Sequence, residues 1–140
     1  MAVSTGGATR QLVAFSIGDG EYAFPIEAVH EIVRYEPPRA VASDLPWHLG
    51  VMSLRGKVLP VLDLAVRLGA RGAEGAERSI VIVDAGEEQA GIVVDAVEEV
   101  LDASEEQFEP LPASSDPVLR HIVNLGDRLV VLVDPAGVVG

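Results

Sequence analysis

The feature that most constrains the fold of this chain is that its first half recurs in its second. Shifted by 68 positions, Arg10, Val13, Gly18, Ala28, Val29 and Glu31 fall on Arg78, Val81, Gly86, Ala96, Val97 and Glu99 without a gap. Shifted by 71, "SLRGKVLPVLDL" falls on "NLGDRLVVLVDP", matching Leu54 with Leu125 and Asp63 with Asp134. Any two hairpins in a Val-rich chain share apolar runs and glycine turns, so single identities count for little. Two separate segments that match in the same order at nearly one shift favour duplication, and internal repetition restricts the architectures open to a chain.

The repeated unit reads as strand, glycine turn, strand, short segment. "QLVAFSI" and "YAFPI" flank "GDGE", and "SIVIVDA" and "AGIVV" flank "GEEQ", as two β-hairpins. "EAVHEIVRYEPP" has helical spacing that gives way to alternation, which predicts a helical turn running into a strand and ending at Pro37 and Pro38. Residues 50–64 form a further hairpin with its tip at Arg55, Gly56 and Lys57, and "DLAVRLG" predicts a short helix capped by Asp63 and stopped at Gly69. "ARGAEGAE" reads as a loop, and "EEQFEPLPASSDP" as a polar connection. The last hairpin turns at Gly126 and Asp127. Pro60 belongs at a strand edge or a bulge.

A half of roughly 60 residues makes a marginal core alone. The expected architecture is therefore mainly β: two pseudo-repeated five-stranded barrels with short helices, intertwined as subdomains of one domain over residues 10–140. A loose tail, residues 1–9, precedes it. A groove is expected where the barrels meet.

Composition narrows function by exclusion. A formal net charge of −12 opposes binding to nucleic acid and to anionic lipid, both of which need Lys and Arg to neutralise phosphate. The absence of cysteine removes disulfides, thiolate metal sites and thiol nucleophiles. No apolar run approaches the ~20 residues of a membrane helix and the N-terminus lacks a signal pattern, so a cytoplasmic location is expected.

Asp63, Asp84, Asp95 and Asp134 stand at predicted strand ends, where a carboxylate cluster would serve Mg²⁺ or acid–base chemistry. Capping is the simpler role. Asp63 and Asp134 precede helical turns, and Asp95 with Glu98 has capping-box spacing. His30, His48 and His121 lack metal-site spacing, and no nucleophile, base and orienting group occur together, so the chain reads as no enzyme, with no cofactor or metal. A carboxylate-metal hydrolase is the alternative from another class. Trp47 suits either core packing or an interface anchor, and Arg55 either solvation or a fork-shaped donor to a carboxylate.

"HLGVMSLRGKVLPVLDLAVRLG" resembles the signature of the chemotaxis coupling proteins, the CheW-like family. "LVAFSIGDGEYAFPIEAVHEIV", "IVIVDAGEEQAGIVVDAVEEVL" and "LGDRLVVLVD" fall in family order around it. The resemblance implies SH3-like barrels and a non-enzymatic adaptor joining methyl-accepting chemoreceptor cytoplasmic tips to the regulatory domain of a CheA-type histidine kinase. Recruitment to chemosensory arrays and contact with other CheW-like domains are further implications. A receptor hairpin would lie in the groove, faced by Val29, Glu31, Arg55 and Ile80, with Gly50 holding the approach. Ser53 stands where the family commonly carries Asn. The sequence ends where relatives continue into a terminal helix, so an accessory protein that binds receptors and not the kinase is the second expectation within the family.

Overall fold

In a computed structural model, residues 9–70, 77–112 and 116–139 are described. Residues 1–8 of the expected tail and 71–76 of the expected loop lie outside them, and Thr9 already belongs to the first strand. The strands are β1 (Thr9–Ile17), β2 (Gly20–Pro25), β3 (Val29–Arg34), β4 (His48–Leu54), β5 (Lys57–Asp63), β6 (Ser79–Ala85), β7 (Glu88–Val94), β8 (Ala96–Ser104), β9 (Phe108–Pro110), β10 (Leu119–Asn124) and β11 (Leu129–Val133). Two five-residue helices, α1 (Leu64–Leu68) and α2 (Pro135–Val139), follow β5 and β11. Among the described residues no helix is long and apolar enough to cross a membrane.

The strands form two sheets, and each sheet takes strands from both halves of the sequence. One sheet is ordered β3-β6-β7-β5-β4 and the other β9-β10-β11-β2-β1-β8. The β1–β2 hairpin of the first half thus lies among strands of the second, and β6–β7 lies among strands of the first. All pairings are antiparallel except β5 with β7 and β11 with β2. The sixth strand, β9, falls inside the expected polar connection, whose residues 113–115 lie outside the described ones.

The repeat read from the sequence reappears in the pairing. Val13 faces Val100 and Val81 faces Ile32; 81 − 13 and 100 − 32 are both 68. Across the parallel pairs, Leu132 faces Ala23 and Val61 faces Gly91, again at shifts of 71 and 68. Even the irregularities coincide. The β3–β6 register steps over His30 and the β8–β1 register over Glu98; β4–β5 steps over Leu49 and β10–β11 over Arg120. Bulges re-aim strands at fixed points, so two halves with the same bulges have the same bends.

Strict alternation explains the core. On β1, Leu12 and Ala14 point into a cluster within the six-stranded sheet, while Phe15 and Ile17 point into one shared with the other sheet. On β6, Ile80 and Ile82 point inside the five-stranded sheet, and Val81 and Val83 into the shared cluster. The shared cluster holds Phe15, Phe24, Leu62, Leu64, Ile92 and Val133, all at most 1% exposed, and joins the sheets face to face. Each such side chain contributes roughly 1.5–3 kcal/mol on burial.

Local signals read from the sequence place the connections. Ile26–Ala28 forms the expected helical turn before β3. Asp63 caps α1 by accepting from the Val66 N–H at 3.2 Å, and Gly69 ends it in a left-handed conformation at φ 69°. Asp134 likewise accepts from the Ala136 N–H at 3.1 Å at the start of α2. Asp95 corrects an expectation: a strand and not a helix follows it, and its carboxylate accepts from Gly18 N–H at 2.7 Å, tying down the β1–β2 turn. Pro60 lies opposite Val51, one residue before β5 begins to pair with β7, where its missing N–H interrupts no ladder on that side.

Candidate protein-interaction site

Arg55 and Gly56 make the two-residue tip of the β4–β5 hairpin, with φ of 50° and 82°. Positive φ at both positions is the signature of a type I′ turn, whose twist matches the flanking strands. Arg55 is the one described non-glycine residue with positive φ. Its guanidinium reaches across to Glu31 on β3, at the opposite edge of the five-stranded sheet, and grips it with both nitrogens; Nη2 lies 3.0 Å from Oε2. The fork thus links the first and last strands of the sheet. The hydrogen bond from Arg55 holds the Glu31 carboxyl below the usual carboxylate range, against a smaller upward push from burial. The Arg55 side chain remains 70% exposed.

Arg55 therefore has a partner inside its own chain, which the sequence reading left between solvent and a foreign carboxylate. Val29, two residues before Glu31, is half-buried against the shared core cluster and faces Val83. Gly50 has φ 147°, and a Cβ there would stand 1.9 Å from the Arg39 carbonyl oxygen. The space it leaves admits the β3–β4 connection, in which Arg39 and Val51 exchange two backbone hydrogen bonds of 2.9 Å. Gly50 thus seals the outer edge of β4.

Ile80 corrects its expected placement. It is fully buried among Leu59, Val61, Ile82 and Val93, because β6 is an interior strand covered on both faces. It shapes the sheet and offers no contact surface. Glu31 and Arg55 come together; Val29, opposite Val83, turns to the shared core cluster across the bulge at His30, and Ile80 is buried, so neither joins them.

Exposed apolar side chains flank the ion pair in sequence: Ile32, 44% exposed, beside Glu31, and Val58, 69% exposed, just after the tip. Their counterparts in the repeat, Val100 and Leu129, are 53% and 56% exposed.

The second sheet carries a similar clasp that sequence reasoning missed. Glu99, the repeat partner of Glu31, lies 3.0 Å from Nη2 of Arg128, whose Nε lies 3.4 Å from Glu21. The signal was present in the match of Glu31 with Glu99. It was hidden because Arg55 aligns with Gly126, and the arginine stands after that turn instead of within it. Arg67 was also missed: it stacks over Trp47 at 5.1 Å and bonds Asp116 at 2.6 Å, so α1 is tied to the connection before β10. Burial pushes the Asp116 carboxyl up, but the Val118 N–H and Arg67 outweigh it and leave it below its ordinary value.

The carboxylates weighed for metal chemistry have other partners. Asp84 accepts from Gln89, and Asp63 lies 3.9 Å from Arg78. Among the described residues no three His, Asp or Glu side chains converge as a metal site. Trp47 packs partly buried against the shared core.

Residues 11–140 match the model of the CheW-like domain. The chain is 36% identical over 130 residues to a probable chemotaxis protein CheW of Rhizobium etli, covering 89% of this chain and 84% of that one. It is 35% identical, with the same coverage, to the chemotaxis protein CheW of Rhizobium meliloti. The crystal structure of the scaffolding protein TtCheW from Thermoanaerobacter tengcongensis superposes with a TM-score of 0.84 at 28% identity, covering 90% of this chain and 89% of that one. With the matched span taking in both sheets and their clasps, this chain belongs to the CheW-like family.

Proposed function

We propose that this protein is a non-enzymatic adaptor of a bacterial chemosensory system, coupling chemoreceptor cytoplasmic tips to the regulatory domain of a CheA-type histidine kinase. Family membership supports the adaptor role, and the names of the relatives place them in chemotaxis. The observation that carries the site is the exposed Arg55–Glu31 fork at a left-handed turn. Glycine or asparagine would occupy that backbone conformation with less strain. An exposed ion pair adds little to stability. What Arg55 supplies is a fixed charged feature at the exposed end of the sheet, the polar element that protein interfaces combine with apolar anchors.

Arg55 and Glu31 are the polar part of the face in this reading, with Val29 supporting β3 beneath it and Gly50 holding the neighbouring connection in place. The protein acts by binding alone. Pull-down with a receptor tip and with the kinase regulatory domain tests it: the intact protein captures both, and Arg55→Ala weakens the ternary assembly while the protein stays folded. Capture of the receptor tip alone assigns the accessory role instead, and capture of neither overturns the reading.

A further inference from the structure

The repeat exposes a place where the two sheets differ in a way that leaves a charge uncompensated. In the five-stranded sheet, Arg78 stacks over Tyr35 at 4.1 Å and lies 3.9 Å from Asp63, and the β3–β4 connection covers the neighbouring strand through Gly50. The counterparts in the six-stranded sheet are Arg10, Asp134 and His121. Arg10 keeps the aromatic contact, lying 4.8 Å over Phe108. Asp134, however, faces Arg120 at 3.9 Å, and among the described residues no carboxylate pairs with Arg10. Where Gly50 leaves room for a covering chain, His121 carries a side chain, paired with Pro110 of β9 and meeting the Phe108 ring edge-on at 6.1 Å. The result is a pocket of about 310 Å³ lined by Arg10, Arg120, His121, Asp134 and the apolar residues Pro25, Leu132 and Pro135.

We propose that this pocket binds a carboxylate, the acidic side chain of a peptide segment, between Arg10 and Arg120. Two guanidinium groups against one aspartate leave one positive charge, which a monoanion balances, in a chain whose net charge is −12. Arginine forks match carboxylate geometry. Arg120 is 59% exposed and held only at 3.9 Å, so it is free to turn from Asp134 to a ligand. Pro25, Leu132 and Pro135 form the apolar wall that an aliphatic stem requires. The volume stands at the small end of ligand sites. This site is independent of the Arg55 face, which belongs to the other sheet.

The test is an NMR titration of the ¹⁵N-labelled full chain at low ionic strength with Ac-Leu-Glu-Leu-NH₂, with Ac-Leu-Gln-Leu-NH₂, and with propionate. The glutamate peptide should give saturable shifts at His121, Leu132, Val133 and Asp134, and the glutamine peptide should bind about tenfold more weakly, the scale of a hydrogen bond to a charged group. Arg10→Gln and Arg120→Gln should each weaken binding about fivefold or more, with spectra that stay dispersed. Since Arg10 packs on Phe108, Arg120→Gln is the variant that tests the site without disturbing the core. Equal binding of the two peptides, or unchanged affinity in Arg120→Gln, overturns the proposal. Propionate binding as tightly as the glutamate peptide overturns the peptide source and assigns the carboxylate to a free small acid.

Discussion

β4 and β10 hold the same place in their sheets, yet their outer edges are covered in different ways. Over β4 the cover is one bridge at Arg39, admitted by the missing side chain of Gly50. Over β10 it is the three-residue strand β9, with Glu109 opposite Ile122, the repeat partner of Val51. An uncovered edge invites pairing with another chain, and each half has met that requirement by its own route. The ion-pair clasps differ in the same manner. Arg55 lies within its turn and remains 70% exposed, whereas Arg128 lies after its turn and is 29% exposed between two glutamates. Duplication has preserved the strands, register and bulges, and divergence has collected at the edges and turns, where surface chemistry is set.

The largest effects should fall on what the halves share. Phe15→Ala empties a fully buried position in the cluster that joins the sheets and should cost about 3–5 kcal/mol in denaturant unfolding. Because both sheets contribute to that cluster, one cooperative transition is expected; two separable transitions would show that the sheets fold independently. Next come the edges. Gly50→Ala forces a side chain into the Arg39 backbone at a left-handed φ and should cost about 2 kcal/mol or more, whereas His121→Ala at the matching position should stay within about 0.5 kcal/mol. Equal costs would remove the contrast between the edges.

Smaller still is the helix cap. Asp63→Ala loses the bond from Val66 and should cost about 1 kcal/mol; Asp134→Ala should cost less, since its other partner, Arg120, is mostly exposed. The smallest effect is the acid dependence of the Arg55–Glu31 pair. The Glu31 pKa is lowered in the folded chain, so its contribution is present above the unfolded carboxylate value and is lost as pH falls through the lowered folded one. Arg55→Ala should therefore differ from the parent near neutrality and converge with it in acid, read as Tm against pH. A difference that widens in acid would reverse the sign.

Much of this was legible in the sequence. The hairpins, the turn at 26–28, the Asp63 cap and the Gly69 stop follow from local rules, because each is decided within a few residues. The shifts of 68 and 71 recur in the pairing register. What the repeat could not state is which half each hairpin joins, since matching units pair equally well with either copy until the connections are fixed in space. Ile80 was set in the groove by the resemblance alone, and its strand carries no local signal against that, since on an interior strand both faces are apolar. The partner of Arg55 escaped because Glu31 is 24 residues away and meets it only when the sheet curls its edges together.

The two clasps are proposed to have different uses: Arg55, 70% exposed, meets partners, and Arg128, 29% exposed, holds its sheet. Isothermal titration of the kinase regulatory domain and the receptor tip into Arg55→Ala and Arg128→Ala tests this directly. The account predicts at least a tenfold loss of affinity, about 1.4 kcal/mol, for Arg55→Ala and little change for a folded Arg128→Ala. Equal losses in both variants, or unaltered binding by Arg55→Ala, would contradict it.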